Sequence, residues 1–161
     1  MIMDRKKLLG AALASTAALV ISATAFAALN EASAKELAQK WVPEGAAHVL
    51  TKADKLGYEV EFFDKETNVT YEVELNKLTE AVTEIKTKLR NNPGSKIINL
   101  NEEDVKSIVR SEFPDANIQK IKLDSENGYQ QYEVNFTDGA IRGEMSINPE
   151  TGVIIERELD Y

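Results

Sequence analysis

Acidic side chains are the residues of this chain whose types and spacing most readily suggest binding chemistry. Four glutamates alternate with apolar residues in two successive segments: Glu59, Glu61, Glu72 and Glu74. Alternation with a period of two is typical of half-buried β-strands, so we expect these carboxylates to share one face of neighbouring strands. Such an acidic sheet face could receive Lys or Arg side chains of a partner, or a calcium ion. The alternative is a solvated face whose repulsion is screened by salt and relieved by Lys52 or Lys86.

Residues that could catalyse a reaction are few. His48 is the single histidine and there is no cysteine, which rules out a two-histidine zinc site, a thiolate metal site and a disulfide within this sequence. No nucleophile motif flanks any serine, so we interpret His48 as an ordinary strand or loop residue. The segment Asp124 to Gly128 resembles the start of a calcium loop but lacks the later glutamate, and we expect a β-turn there. The sequence therefore predicts a non-enzyme with no catalytic residue, no cofactor and no metal site.

The N-terminus has the order of a secretory signal peptide. Basic residues at positions 5 to 7 precede an apolar run from Leu8 to Ala27 that ends in a small-x-small triplet. We expect cleavage after Ala27; the alternative is an uncleaved membrane anchor, since about 20 apolar residues can span a bilayer. An exported protein without disulfides predicts a secreted or envelope-associated protein, most simply of a Gram-positive bacterium.

Charge narrows the choice of partner. The full chain has 19 Lys and Arg against 27 Asp and Glu, a net charge of −8. Removing residues 1–27 takes away three basic groups and one acid, which leaves 16 against 26 and a net charge of −10. Such a surface repels nucleic acid, whose binding requires Lys and Arg to displace counterions from phosphates. We expect no nucleic acid partner, and contact with a membrane only through the N-terminal segment.

A repeated segment predicts the architecture. Tyr-Glu-Val-Glu-Phe at residues 58–62 returns as Tyr-Glu-Val-Asn-Phe at residues 132–136, each time after a short amphipathic helix. Ser33 and Glu36 have the spacing of a capping box for the first helix, and Asn101 is a good N-cap for the second. Prolines follow both helices, at Pro43 and Pro114.

Alternating strands follow each helix. A hairpin with an Asp138-Gly139 turn is predicted in the second copy, and leading and trailing strands flank the hairpin in both copies. The segment 78–89 could instead be helical, but we prefer a strand. The chain thus reads as α+β, with two tandem small repeats of one helix on a three- to four-stranded antiparallel sheet. The predicted boundaries are a signal peptide at 1–27, repeat 1 at 28–89, a linker at 90–98 and repeat 2 at 99–161.

The second copy resembles a PepSY domain. The resemblance is carried by a helix ended by Pro114, a strand with Tyr132, the Asp138-Gly139 turn, and a later turn with Asn148, Thr151 and Gly152. The family usually has Asp where this chain has Asn148. The first copy resembles the family only in degenerate form, because residues 76–80 replace the later turn and its glycine is lost.

This resemblance implies a function. PepSY-like domains occur in propeptides of secreted metalloproteases and in small exported bacterial proteins, where they are thought to restrain peptidases. It implies that this chain is an exported, non-catalytic protein that binds and inhibits a secreted peptidase in trans. The alternative is a cell-envelope interaction or sensing module that binds cationic peptides, wall components or calcium through the acidic sheet face.

Overall fold

The computed structural model describes residues 29–161. The predicted signal peptide lies outside the described residues. The elements are α1 (Glu31–Gln39), β1 (Ala47–Ala53), β2 (Gly57–Asp64), β3 (Val69–Asn76), β4 (Val82–Leu89), α2 (Glu102–Glu112), β5 (Asn117–Glu126), β6 (Tyr129–Asp138), β7 (Ile141–Ile147) and β8 (Ile154–Asp160). The order of one helix and four strands therefore occurs twice. Neither helix of residues 29–161 is long and apolar enough to cross a membrane.

All eight strands form one antiparallel sheet, in the order β1-β2-β3-β4-β8-β7-β6-β5. The last strand of each half meets the other at the centre, where Ile85 of β4 pairs with Leu159 of β8. The sequence led us to expect a separate sheet of three or four strands in each half. The structure instead joins them, because β4 and β8 each leave a free edge that the other can pair with.

Both helices cover the same face of this sheet. Ala34 and Ala38 of α1 are fully buried against one core cluster, and Val105 and Val109 of α2 against a second. Ile85 belongs to the first cluster and its strand partner Leu159 to the second, so the two cores adjoin on one side of the sheet. The opposite face carries no helix among residues 29–161, and we call it the open face.

The helix starts show one wrong prediction and one confirmed one. The N-cap of α1 is Asn30, whose side chain accepts a hydrogen bond from the Ser33 N–H at 3.0 Å. Ser33 therefore lies inside the helix, and the capping box predicted for it does not form, because the asparagine three residues earlier takes its backbone proton. In α2, Asn101 caps as predicted, and Asp104 completes a reciprocal capping box.

The strands follow the predicted alternation. Residues 82–89 form β4, which confirms a strand rather than a helix in that segment. Asn127 and Gly128 form the tight β5–β6 turn, with φ of 53° and 80°. The turn predicted over Asp124 to Gly128 is shorter than expected, because Asp124 to Glu126 continue β5. Trp41, which follows α1, is partly buried against the first core cluster, and its ring meets Tyr161 at 5.7 Å between centroids.

The segment between the halves is held against the second half. Ser95 exchanges backbone hydrogen bonds with Gln130, at 3.0 and 2.8 Å. Its hydroxyl also donates to Glu150 at 2.5 Å, and Asn92 accepts from the Asn148 amide at 3.1 Å. The predicted linker is thus bonded to the β6 strand and to the turn before β8.

Candidate functional site

The four glutamates singled out in the sequence lie together on the open face. In the β2–β3 ladder Glu59 is directly opposite Glu74, and Glu61 is directly opposite Glu72. Their neighbours along the strands, such as Val60 and Val73, are fully buried on the helix face. The period of two therefore places these carboxylates as expected, and like charges do face each other across the two strands.

Nearby cations relieve part of this repulsion. The Lys52 ammonium lies 2.6 Å from a Glu59 carboxylate oxygen, as anticipated, and Arg90 reaches Glu61 at 3.5 Å. Lys86 lies directly opposite Glu72 in the β3–β4 ladder, beside this group as expected. Its ammonium forms salt bridges on its other side, to Glu156 at 2.7 Å and Glu158 at 3.0 Å, because β8 pairs with β4 there.

Two of these glutamates are electrostatically perturbed. Burial raises the pKa of Glu72, and the charge of Glu59 raises it further against the opposing effect of Lys86. Burial and the charge of Glu59 likewise raise the pKa of Glu74. Protonation of either carboxyl is easier because burial, and then the charge of Glu59, penalises its ionised form.

A second acidic group was missed by sequence reasoning. Glu84 of β4 pairs directly with Asp160 of β8, and Glu158 lies beside them. Burial raises the pKa of Glu84 to about 7, and the charges of Glu74, Glu158 and Asp160 add to the shift. The alternation in β4 gives a signal that Glu84 faces outward. Its proximity to β8 has no local signal, since the pairing joins residues about 76 positions apart.

Each acidic group brings carboxylate oxygens close enough to share one cation. Oxygens of Glu59, Glu72 and Glu74 lie within 4.8 Å of one another, as do those of Glu84, Glu158 and Asp160. Hard oxygen donors of this kind suit calcium better than a transition metal. Exposed carboxylates also cluster without a metal, so what the arrangement supports directly is attraction of positive charge.

The single histidine has no catalytic surroundings. The His48 ring hydrogen-bonds to the Thr51 hydroxyl at 2.9 Å and packs edge-on against Phe62, with ring centroids 5.8 Å apart. Neither contact supplies a carboxylate to orient a general base. Two depressions in the described surface have volumes of about 190 Å³, on the open face near Asn135 and Glu144, and about 290 Å³, beside α1. Both fall below the usual range for small-molecule sites, roughly 300–1,000 Å³.

The residues that carried the family resemblance have structural roles. The Tyr132 hydroxyl donates to the Leu100 carbonyl at 2.9 Å, and its ring is buried in the second core cluster. Pro114 follows the end of α2, while Asp138 ends β6 and Gly139 begins the β6–β7 turn at φ 59°. These residues therefore contribute to the fold rather than to a binding surface.

Asn148 organises the turn before β8. Its side-chain oxygen accepts from the backbone N–H groups of Glu150 and Thr151, at 3.0 and 3.2 Å. Its backbone carbonyl accepts from Gly152 at 2.9 Å, and Gly152 has a φ of 73°. Glycine suits this left-handed conformation because it has no Cβ.

The corresponding turn of the first half has the same hydrogen bonds. Asn76 accepts through its side chain from Leu78 and Thr79, at 2.8 and 3.1 Å, and through its carbonyl from Glu80 at 2.9 Å. Glu80 takes the left-handed place of the glycine, at φ 57°. The turn geometry is therefore kept where the glycine is lost.

Comparison with known proteins identifies one family. The family model described as "PepSY: Peptidase propeptide and YPEB domain" matches residues 99–158. The match does not extend to the first half, so a second PepSY copy there stays a prediction. A search of curated proteins finds no match.

Several solved structures of low identity resemble the chain. A candidate lipoprotein of Clostridium difficile 630 is 18% identical, with 80% of this chain and 91% of that chain covered and a TM-score of 0.33. A candidate periplasmic protein of Bacteroides eggerthii DSM 20697 is 13% identical, with 77% and 84% covered and a TM-score of 0.32. A DUF2874 family protein of Bacteroides uniformis ATCC 8492 is 15% identical, with 81% and 90% covered and a TM-score of 0.33. The family match spans α2 and the strands after it, so what the comparisons show is that residues 99–158 are similar to a PepSY domain.

Proposed function

We propose that this chain is an exported, non-catalytic PepSY protein that binds and restrains an extracellular peptidase. The observation that carries the proposal is the match of residues 99–158 to a family described as a peptidase propeptide domain. Restraining a peptidase by binding it requires a stable surface rather than a reactive centre. The signal-peptide pattern of residues 1–27 supports export, to the cell surface or the medium.

The structure offers a suitable scaffold for such binding. The second core cluster holds β6, β7 and β8 rigidly beneath α2, and Arg157 of β8 bonds to Glu112 at the end of that helix at 3.3 Å. A preorganised surface loses little conformational entropy on binding, which favours affinity. Restraint in trans then requires only that one surface of the domain cover the peptidase.

Affinity capture followed by an activity assay tests this proposal. Residues 28–161 are immobilised, the secreted and wall-associated proteins of the producing organism are passed over them, and retained proteins are identified by mass spectrometry. We expect a peptidase to be retained, and its activity on a fluorogenic peptide to fall as the soluble chain is titrated in. Retention of no peptidase, or retention without any loss of activity, contradicts the proposal.

A second candidate function is binding of cationic peptides, wall components or calcium by the acidic sheet face. The observation in its favour is the direct opposition of Glu59 to Glu74 and of Glu61 to Glu72 on an uncovered face. Binding of this kind depends on charge and weakens in salt. It needs neither the helices nor any residue of the PepSY turn.

Neutralising variants distinguish the two candidates. The test variant replaces the four glutamates of the acidic sheet face by glutamine. The matched control replaces four exposed glutamates elsewhere: Glu36, Glu44, Glu66 and Glu102. If only the test variant loses affinity for a Lys-rich peptide or calcium in calorimetry, the acidic sheet face is the binding surface. If both variants still inhibit the captured peptidase, restraint is independent of that face.

A further inference from the structure

The outer edge of β5 is a free hydrogen-bonding surface with a defined pattern. β5 is the last strand of the sheet and pairs only with β6. A bulge between Ile118 and Lys120 and the turn after Glu126 bound a regular segment from Lys120 to Glu126. Within residues 29–161, no other segment forms a β-bridge with it.

The direction of the free backbone groups follows from the neighbouring strand. Gln130 uses its N–H and C=O to bond to Ser95, on the side of β6 away from β5. Its partner in β5, Ser125, must therefore sit in a non-hydrogen-bonded pair and point its own groups outward. Since the pattern repeats every two residues, Leu123 and Ile121 also present free N–H and C=O groups at the edge.

The side chains of this segment alternate between faces. Lys122 and Asp124 lie on the open face, where their charged groups are 2.5 Å apart, and Glu126 follows on the same face. Ile121 and Leu123 lie on the helix face, where Leu123 is 38% exposed although it is apolar. A lysine on an edge strand normally discourages pairing with another strand. Here the residues two and four positions after Lys122 on the same face are acids, Asp124 and Glu126.

We propose that the β5 edge binds the β5 edge of a second copy of this chain, antiparallel and centred on Leu123. Around that centre, Leu123 lies opposite Leu123 of the second copy, and Ile121 lies opposite Ser125 of the second copy. The free N–H and C=O groups of each strand then face those of the other. On the open face, Lys122 then faces Asp124 and Lys120 faces Glu126 of the second copy. The contact forms about six backbone hydrogen bonds and extends the sheet across a two-fold axis.

Charge selects this register over its neighbours. A centre on Lys122 still matches outward backbone groups, but it places the two copies of Lys122 opposite each other. A centre on Asp124 places the two copies of the Asp124 carboxylate opposite each other. Like charges directly opposite destabilise a strand pair, whereas opposite charges stabilise it. The segment is therefore self-complementary in one register.

The other edge of the sheet lacks this property. β1 has the sequence Ala-His-Val-Leu-Thr-Lys-Ala, with a bulge between His48 and Leu50 and with Lys52 as its only charge. Pairing β1 with its own copy opposes no acid to that lysine. The edge that supports self-association is thus β5 and not β1.

Charge-swapped variants test the proposal. Sedimentation velocity of residues 28–161 should show a concentration-dependent monomer–dimer equilibrium. Lys122→Asp alone, or Asp124→Lys alone, should weaken dimerisation by about tenfold or more, because each variant opposes like charges. Mixing the two variants should restore a dimer, because the acids of the first then face the lysines of the second.

A control and two contrary outcomes make the test decisive. Lys52→Asp introduces the same change at the β1 edge and should leave dimerisation unchanged. Circular dichroism of each variant verifies that it is folded. A chain that stays monomeric up to about 1 mM, or a mixture that dimerises no better than either variant alone, overturns the proposal.

Discussion

At the scale of the residue, Tyr132 joins three parts of the second half of the fold. Its ring lies in the core between α2 and the sheet, its hydroxyl bonds to Leu100 before α2, and its backbone pairs with Leu123 and Ile147. The sequence predicts its inward direction from alternation alone. The hydrogen bond to Leu100 has no sequence signal, because it spans 32 positions.

Removing this side chain should destabilise the protein. We expect Tyr132→Ala to lower the free energy of unfolding by about 3–5 kcal/mol through loss of packing. Tyr132→Phe should cost only about 1 kcal/mol, since it loses the hydroxyl bond alone. Urea denaturation followed by circular dichroism measures both. Equal losses for the two variants would show that the ring contributes nothing.

Glu84 should make stability depend on pH. Its pKa rises from 4.5 to about 7 on folding, so the folded state holds the proton more tightly than the unfolded state. Stability from this group is therefore present below about pH 4.5 and is lost as pH rises through about 7. Because the group is partly exposed, solvent screening limits the effect to about 1 kcal/mol.

The variant Glu84→Gln isolates this contribution. It should match the unmodified protein in stability at pH 4 and exceed it increasingly up to pH 8, as thermal unfolding at each pH measures. Glu66→Gln, at an exposed loop position, is the matched control and should show no such trend. A constant difference between Glu84→Gln and the unmodified protein at all pH values would contradict the raised pKa.

At the scale of the element, the two Asn-centred turns show where sequence patterns reach their limit. The Asn148 turn is recognisable because Gly152 supplies the positive φ that the turn needs. The Asn76 turn makes the same hydrogen bonds, but the residue with positive φ is Glu80 and not a glycine. A sequence pattern that requires glycine therefore does not detect this turn. Strand positions were predictable from alternation. The N-cap of α1 was not, because Asn30 and Ser33 are both good caps and their competition is decided in three dimensions.

The left-handed conformation of Glu80 makes a direct prediction. A non-glycine residue in this region is strained by about 1–2 kcal/mol, and glycine is not. Glu80→Gly should therefore stabilise the protein by roughly 0.5–1 kcal/mol, since the greater freedom of glycine in the unfolded chain offsets part of the gain. Glu80→Ala is the control, because it removes the same carboxylate and keeps the strain. A glycine variant no more stable than the alanine variant would argue against a strained turn.

At the scale of the whole molecule, the junction of β4 with β8 makes one sheet from two similar halves. Local patterns predict each half well, because helices, hairpins and alternation depend on residues close in sequence. They say nothing of the junction, whose contacts join Lys86 to Glu158 across 72 positions. The second acidic group on the open face is brought together by this junction. The sequence therefore did not predict that group either.

The junction should make unfolding cooperative. Trp41 lies in the first half but contacts Tyr161 at the end of the second, and is the only tryptophan. We expect tryptophan fluorescence and far-ultraviolet circular dichroism to give the same denaturation midpoint in urea. Ile85→Ala, in the β4 side of the junction, should lower both midpoints together. Two separated transitions would mean that the halves unfold independently.

The long sequence separation between β4 and β8 also bears on how the protein folds. The edge of β4 stays unpaired until residues 154–160 reach it, so a strand of the second half completes the centre of the sheet. Pairing across so long an interval closes a large loop and slows folding. Until β8 docks, β4 exposes an unpaired strand edge, and an edge of this kind can pair with another chain. The slow step that completes the sheet is therefore also the step at which the protein is most prone to aggregate.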